Sequence, residues 1–208
     1  MELERLLPEE IERRSFAIIE SELPHALDPR QAPVIKRVIH ATADFDYADS
    51  LRFSPTALEA AQAALAAGAR IVTDTNMAKA GVNRSALAAL GCEAVCLMAE
   101  AETAALAGRL QTTRAAASME LAAGLPGPLI FAIGNAPTAL LRLLGLMREG
   151  RVSPALVIGA PVGFVNVIQS KELLMRADVP HIVAQGRKGG SNVAAAIINA
   201  LLYRATRP

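Results

Sequence analysis

Apolar residues recur along this chain in two alternating rhythms. Short apolar runs occur at Arg70–Thr73, Ala94–Met98, Leu129–Ile133, Ala155–Ile158 and His181–Ala184, and most give way within two residues to Gly or Asp. Runs apolar on both faces are the mark of parallel strands covered by helices on either side. Between them lie longer Ala- and Leu-rich segments with helical spacing: 55–67, 84–90, 115–123, 137–148, 166–177 and 191–204. In the fourth of these, Leu140, Leu141, Leu143, Leu144 and Met147 form one stripe, with Pro137 at the start and Gly150 past the end. Ser54 is the expected cap of the first, with Pro55 at its first helical position and Gly68 beyond it. The first 50 or so residues break the rhythm and read as two helices, 8–22 and 33–40. The expected fold is α/β. It is a three-layer α/β/α arrangement with a mostly parallel, Rossmann-like sheet of about five strands and an N-terminal helical segment, as one domain over 1–208.

Composition narrows the function. Of 208 residues, 52% are hydrophobic and 20% charged, which excludes a disordered chain. The 21 basic and 20 acidic residues leave a net charge of +1, so no overall basic field points to nucleic acid or an anionic membrane. Aromatics are 3% with no Trp, too few for base-stacking platforms. The longest uncharged stretch, Val152 to Gln169, is interrupted by Pro154, Gly159, Pro161 and Gly163 and is not a membrane span. The opening Met1 to Arg14 is rich in Glu and Arg and lacks the apolar stretch of a secretory signal, so a cytoplasmic location is expected. Cys92 and Cys96 sit where a strand would hold their side chains roughly 13 Å apart. They read as buried thiols rather than a disulfide or half a metal knuckle.

In open α/β sheets ligands sit beyond the carboxyl ends of the strands. The loops there are Asp74-Thr75-Asn76-Met77 with Lys79, Gly134-Asn135-Ala136-Pro137-Thr138, Gly159-Ala160-Pro161-Val162-Gly163-Phe164 with Lys171, and Gly186-Arg187-Lys188-Gly189-Gly190-Ser191. The last presents glycine N–H groups, two cations and a helix start to an anion; the alternative is a glycine-rich helix entry with solvated charges. Neither a Walker loop nor a G-x-G-x-x-G follows the first strand, which disfavours nucleoside triphosphates and NAD. Arg37, Lys79, Arg84, Arg114, Lys171, Arg187 and Lys188 lie near loops and would hold carboxylates or phosphates if they converged. His25, His40 and His181 have no metal-ligand spacing. His40 stands where an apolar helix gives way to a polar turn, a place for proton transfer or, equally, for packing. No nucleophile elbow is present, and no metal is expected.

Taken as an ordered set, several segments resemble the precorrin-8X methylmutase family across nearly the whole chain. They are Ile11-Glu12-Arg13-Arg14-Ser15-Phe16-Ala17-Ile18-Ile19, Val38-Ile39-His40-Ala41, Thr113-Arg114-Ala115-Ala116-Ala117 and Gly134-Asn135-Ala136-Pro137-Thr138-Ala139-Leu140. Pro161-Val162-Gly163-Phe164-Val165 with Ser170-Lys171, and Gly186-Arg187-Lys188-Gly189-Gly190-Ser191, complete it. The resemblance implies a homodimer whose site is shared between subunits. It implies migration of a methyl group from C-11 to C-12 of a corrin precursor, giving hydrogenobyrinic acid, or cobyrinic acid from the cobalt form, without an added cofactor. His40 matches the family's catalytic histidine, which transfers a proton to the macrocycle. Ser15, Arg114 and Asn135 are implied substrate contacts by motif match, with Asn135 alternatively a cap for the following helix. Arg187 and Lys188, with the N–H groups of Gly189 and Gly190, are expected to hold carboxylates. Arg14, Arg37, Asn76, Lys79, Asn83, Arg84 and Lys171 complete the expected substrate-binding set. A flat apolar ring with acidic arms suits an apolar cleft with scattered cations. A tetrapyrrole carrier without turnover would use the same features, and a sugar-phosphate isomerase is a more distant alternative.

Overall fold

A computed structural model describes residues 7–206; part of the charged opening segment and the last two residues lie outside it. The strands are β1 (Leu51–Phe53), β2 (Arg70–Thr73), β3 (Glu93–Val95), β4 (Leu129–Ile133), β5 (Leu156–Gly159) and β6 (His181–Ala184). They form one sheet in the order β1-β6-β5-β4-β2-β3. All neighbours are parallel except β1, which runs antiparallel to β6 with Leu51 opposite Ala184 and Phe53 opposite Ile182. The sheet therefore has six strands where sequence periodicity shows five. Three residues on an edge are too few to display a period, so β1 goes unseen. β3 also stops at Val95, three residues short of the expected Met98, because Leu97 and Met98 turn away toward the next helix.

The helices are α1 (Pro8–Glu22), α2 (Ala32–Thr42), α3 (Tyr47–Ser50), α4 (Ala57–Ala66), α5 (Asn76–Gly81), α6 (Arg84–Ala89), α7 (Ala101–Arg109), α8 (Arg114–Ala122), α9 (Pro137–Arg148), α10 (Val167–Met175) and α11 (Ser191–Thr206). Side-chain alternation along the strands splits the core in two. Ile71, Ile130, Ala132, Leu156, Ile158, Ile182 and Ala184 face α2, α4, α6 and α11. Val72, Leu129, Phe131, Ile133, Val157 and Val183 face α8, α9 and α10. α11 is buried along most of its length, which explains its run of Val, Ala and Ile unbroken by charge. α4 begins two residues later than expected. Ser54 does not cap it; its hydroxyl instead accepts the His181 N–H at 2.9 Å, fastening β1's exit to β6. Cys92 and Cys96 are free and buried. Among the described residues no helix is long and apolar enough to cross a membrane, and no cluster of three His, Cys, Asp or Glu could hold a metal.

Candidate functional site

Parallel strands deliver the loops after β2, β4, β5 and β6 to one edge of the sheet. Because β1 is antiparallel, its entry lies at that same edge: the Gln185 N–H donates to the Ser50 carbonyl at 2.8 Å. The chain from the end of α2 is thereby brought beside the loop that follows β6.

The loops are fixed to one another from below. Asp74, directly after β2, is fully buried, and its carboxylate accepts the N–H groups of Gly134, Asn135 and Ala136 at 2.8, 2.8 and 2.7 Å. Burial pushes this carboxyl above its ordinary range and the three donors pull against that. Gly134 has no room for a side chain, since a Cβ there would lie 2.8 Å from the Ser191 Cα. Thr75 and Ser191 share a hydroxyl hydrogen bond of 2.7 Å, and Thr75 also caps α5 through the Ala78 N–H. Lys171 is 1% exposed and donates to the carbonyls of Gly186 and Lys188 at 2.8 and 2.7 Å. It holds the β6 loop from beneath, and burial lowers its pKa to about 8. The expectation that Lys171 meets a substrate carboxylate is therefore corrected: its ammonium points into the protein.

Gly190 needs a similar correction. A Cβ on Gly189 would lie 2.3 Å from the Ala160 carbonyl oxygen, and the Gly190 N–H already donates to that oxygen at 2.9 Å. Gly190, at φ +135°, joins the β5 and β6 loops, so its N–H is not free for a ligand. Lys188 reaches across to Asp44 and Asp46, 2.6 Å from each, and so latches the β6 loop to the turn after α2. The ammonium keeps Asp44 below the usual carboxylate range, and the two carboxylates raise Lys188 above its own. Arg187 is exposed, with its guanidinium 5.7 Å from the Phe164 ring centre.

His40 lies in the last turn of α2, which closes on Ala43 at φ +53°. Its ring is exposed and lies nearly parallel to that of Phe16 on α1, centroids 5.2 Å apart and planes 9° apart. No hydrogen bond ties either ring nitrogen among the described residues. Ser15, half-buried beside Phe16, donates its hydroxyl to the Ile11 carbonyl at 2.8 Å, and Arg14 is exposed on the same helix. Arg37 pairs with Glu12 at 2.7 Å, lies against the rings of Phe16 and Tyr203, and lines an open cavity of about 650 Å³ with Lys36 and Arg204.

Arg114 is exposed at the start of α8, whose cap Thr113 also donates to Thr138 on α9 at 2.9 Å. Asn135 is exposed between Asp74's donors; it does not cap α9, where Ala136 stands at the cap position. Asn76, Lys79 and Arg84 line a separate cavity of about 320 Å³ with Val82, Leu87 and Ala94, beyond β2. Asn83 is spent on structure: its carbonyl accepts the Ala86 N–H at 3.0 Å and its amide donates to the Tyr203 hydroxyl at 3.0 Å. The structure thus groups His40, Ser15, Arg14, Lys188, Arg187 and the β6 loop at one end of the sheet edge. Asn135 and Arg114 follow along it, and the α5–α6 group stands farther on. The residues not assigned a role from sequence are Asp74 and Phe16. An acid directly after a buried strand was the available signal for the first; nothing in the spacing marks the second.

The comparisons agree with this layout. A family described as CbiC, precorrin-8X methylmutase, matches residues 10–204. A cobalt-precorrin-8 methylmutase from Priestia megaterium is 44% identical, covering 93% of this chain and 87% of that protein. A precorrin-8X methylmutase from Pseudomonas aeruginosa is 46% identical over 92% and 93% of the two chains. The crystal structure of a precorrin-8X methylmutase from Thermus thermophilus superposes with a TM-score of 0.87 at 46% identity, covering 94% of this chain and 97% of that one. With the motifs in the loops after β4, β5 and β6 and the match running from α1 to α11, the chain belongs to the precorrin-8X methylmutase family.

Proposed function

We propose that this chain is the isomerase its family name describes, shifting a methyl group from C-11 to C-12 of a corrin precursor, and that His40 moves the proton. The observation that supports this most is the state of His40: an exposed imidazole with no hydrogen bond at either nitrogen among the described residues, stacked on Phe16 at the edge where the loops after β5 and β6 gather. The substrate's acidic arms would meet Arg14, Arg187, Arg114 and Asn135 around it. The step balances without a co-reactant. His40 gives a proton to the macrocycle, one carbon–carbon bond breaks at C-11 as another forms at C-12, and the proton returns, so substrate and product are isomers. Relatives named for the cobalt and the metal-free substrate are about equally similar to this chain, so both substrates belong in the test.

The test mixes near-stoichiometric protein anaerobically with precorrin-8X and, separately, with its cobalt form. A shift to the corrin spectrum is expected with at least one. His40→Ala is expected to abolish conversion and keep tetrapyrrole binding. Conversion by His40→Ala at the wild-type rate would remove His40 from the mechanism; return of both substrates unchanged by the wild type would identify a carrier. A cytoplasmic location is part of the same reading, supported by the biosynthetic family to which the chain belongs. A homodimer is also part of this reading, supported by the exposed apolar residues Phe164 (84%) and Val165 (78%) on the β5 loop.

A further inference from the structure

Among the described residues His40 has no hydrogen bond to set its ring plane, and the torsion that turns an imidazole about its Cβ–Cγ bond is intrinsically broad. The plane is nonetheless defined, by contact with Phe16. That ring is itself held. The Arg37 guanidinium carbon lies 4.7 Å from its centroid, and Arg37 also lies 5.0 Å from the Tyr203 centroid. Glu12, one turn before Phe16 on α1, fixes the guanidinium at 2.7 Å. Asn83 fixes the Tyr203 hydroxyl at 3.0 Å. Four aromatic or planar groups from α1, α2 and α11 thus support one another and end at His40.

A face contact differs from a hydrogen bond in what it leaves open. A carboxylate or carbonyl partner would orient the imidazole by occupying one nitrogen. A stacked ring touches only the face, and both nitrogens stay available at the edge. For a residue that must deliver a proton and take it back, that is the useful restraint.

We propose that Phe16 is a positioning residue for the reaction. It sets the plane of the His40 ring, and Arg37, held by Glu12, sets Phe16 rather than binding substrate. The proposal rests on the reading of His40 as the proton-transferring group. Its test uses Phe16→Leu and Phe16→Tyr in the full chain, with two readouts. The first needs no substrate: the Hδ2 and Hε1 resonances of His40, displaced upfield by the Phe16 ring current. The displacement is expected in the wild type, lost in Phe16→Leu and kept in Phe16→Tyr. The second is the single-turnover rate constant and the substrate concentration giving half of it. Phe16→Leu should lower the rate constant about tenfold or more, as for misplaced reacting groups, with the half-saturating concentration little changed. Phe16→Tyr should restore most of the rate. A wild-type His40 spectrum without upfield displacement, a Phe16→Leu enzyme at full rate, or a loss that Tyr fails to rescue overturns the proposal. His40→Ala run alongside separates the two readings. If it still turns over, His40 was misassigned. If it is dead while Phe16→Leu is normal, only the positioning role fails.

Discussion

Replacing Asp74 by Asn tests whether one buried carboxylate organises the site edge. The carboxylate meets only donors: one oxygen takes the Gly134 N–H and the other takes those of Asn135 and Ala136. An amide has one acceptor oxygen. Turned toward Asn135 and Ala136, it leaves its NH2 facing the Gly134 N–H with no acceptor between them. An orphaned buried donor costs about 1–3 kcal/mol, and two bonds to a neutral oxygen replace two to a charged one at a further ~0.5–1 kcal/mol each. The expected loss is about 2–5 kcal/mol. Burial alone argues the other way, since it raises the Asp74 carboxyl and favours a neutral group. The geometry decides against that, because a neutral amide brings hydrogens where three N–H groups already converge. Urea unfolding at pH 7 reads the difference. With a slope of about 2 kcal/mol/M, the midpoint should fall by roughly 1–2.5 M. A fall corresponding to less than about 0.5 kcal/mol, within the range of ordinary surface substitutions, would refute the argument. Substrate affinity should fall as well, because Asn135 stands in the loop that loses its anchor.

Two further outcomes follow from the loop supports and the exposed loop tip. Lys171 releases its proton at about 8 when folded, against an ordinary 10.5. Between those values the unfolded chain binds more protons, so stability rises with pH; below about 8 the full cost of the buried charge is present. The stability of the wild type minus that of Lys171→Met should therefore climb by up to about 3 kcal/mol from pH 8 to 10.5, measured by urea unfolding. A flat difference would show that the two carbonyl acceptors hold the ammonium at its ordinary value. For the proposed dimer, Phe164→Glu should convert the species seen in sedimentation from two chains to one. A wild type that sediments as a monomer at micromolar concentration would end that reading.

Much of the frame is legible in the sequence because it depends on local pattern. Arg70–Thr73, Leu129–Ile133 and His181–Ala184 form strands over the expected spans, and α9 runs from Pro137 to Arg148 as its leucine stripe and flanking Pro and Gly require. α5 escapes notice because six residues are too few to show a period; its start is set by Thr75, whose hydroxyl accepts the Ala78 N–H. The site divides along the same line. That His40 ends a helix, and that Gly186–Ser191 opens one, are local facts. What each polar group faces is not. Lys171 reads from sequence like any loop cation, yet its ammonium meets carbonyls 15 and 17 residues away. Asp74 gains its role from N–H groups 60 to 62 residues on, which only the β2–β4 pairing brings near. Lys188 reaches carboxylates more than 140 residues back because β1 reverses direction beside β6. The strand hardest to see in the sequence is therefore the one that carries the turn after His40 to the loop after β6. Deleting its pairing would separate His40 from that loop while leaving both local motifs intact.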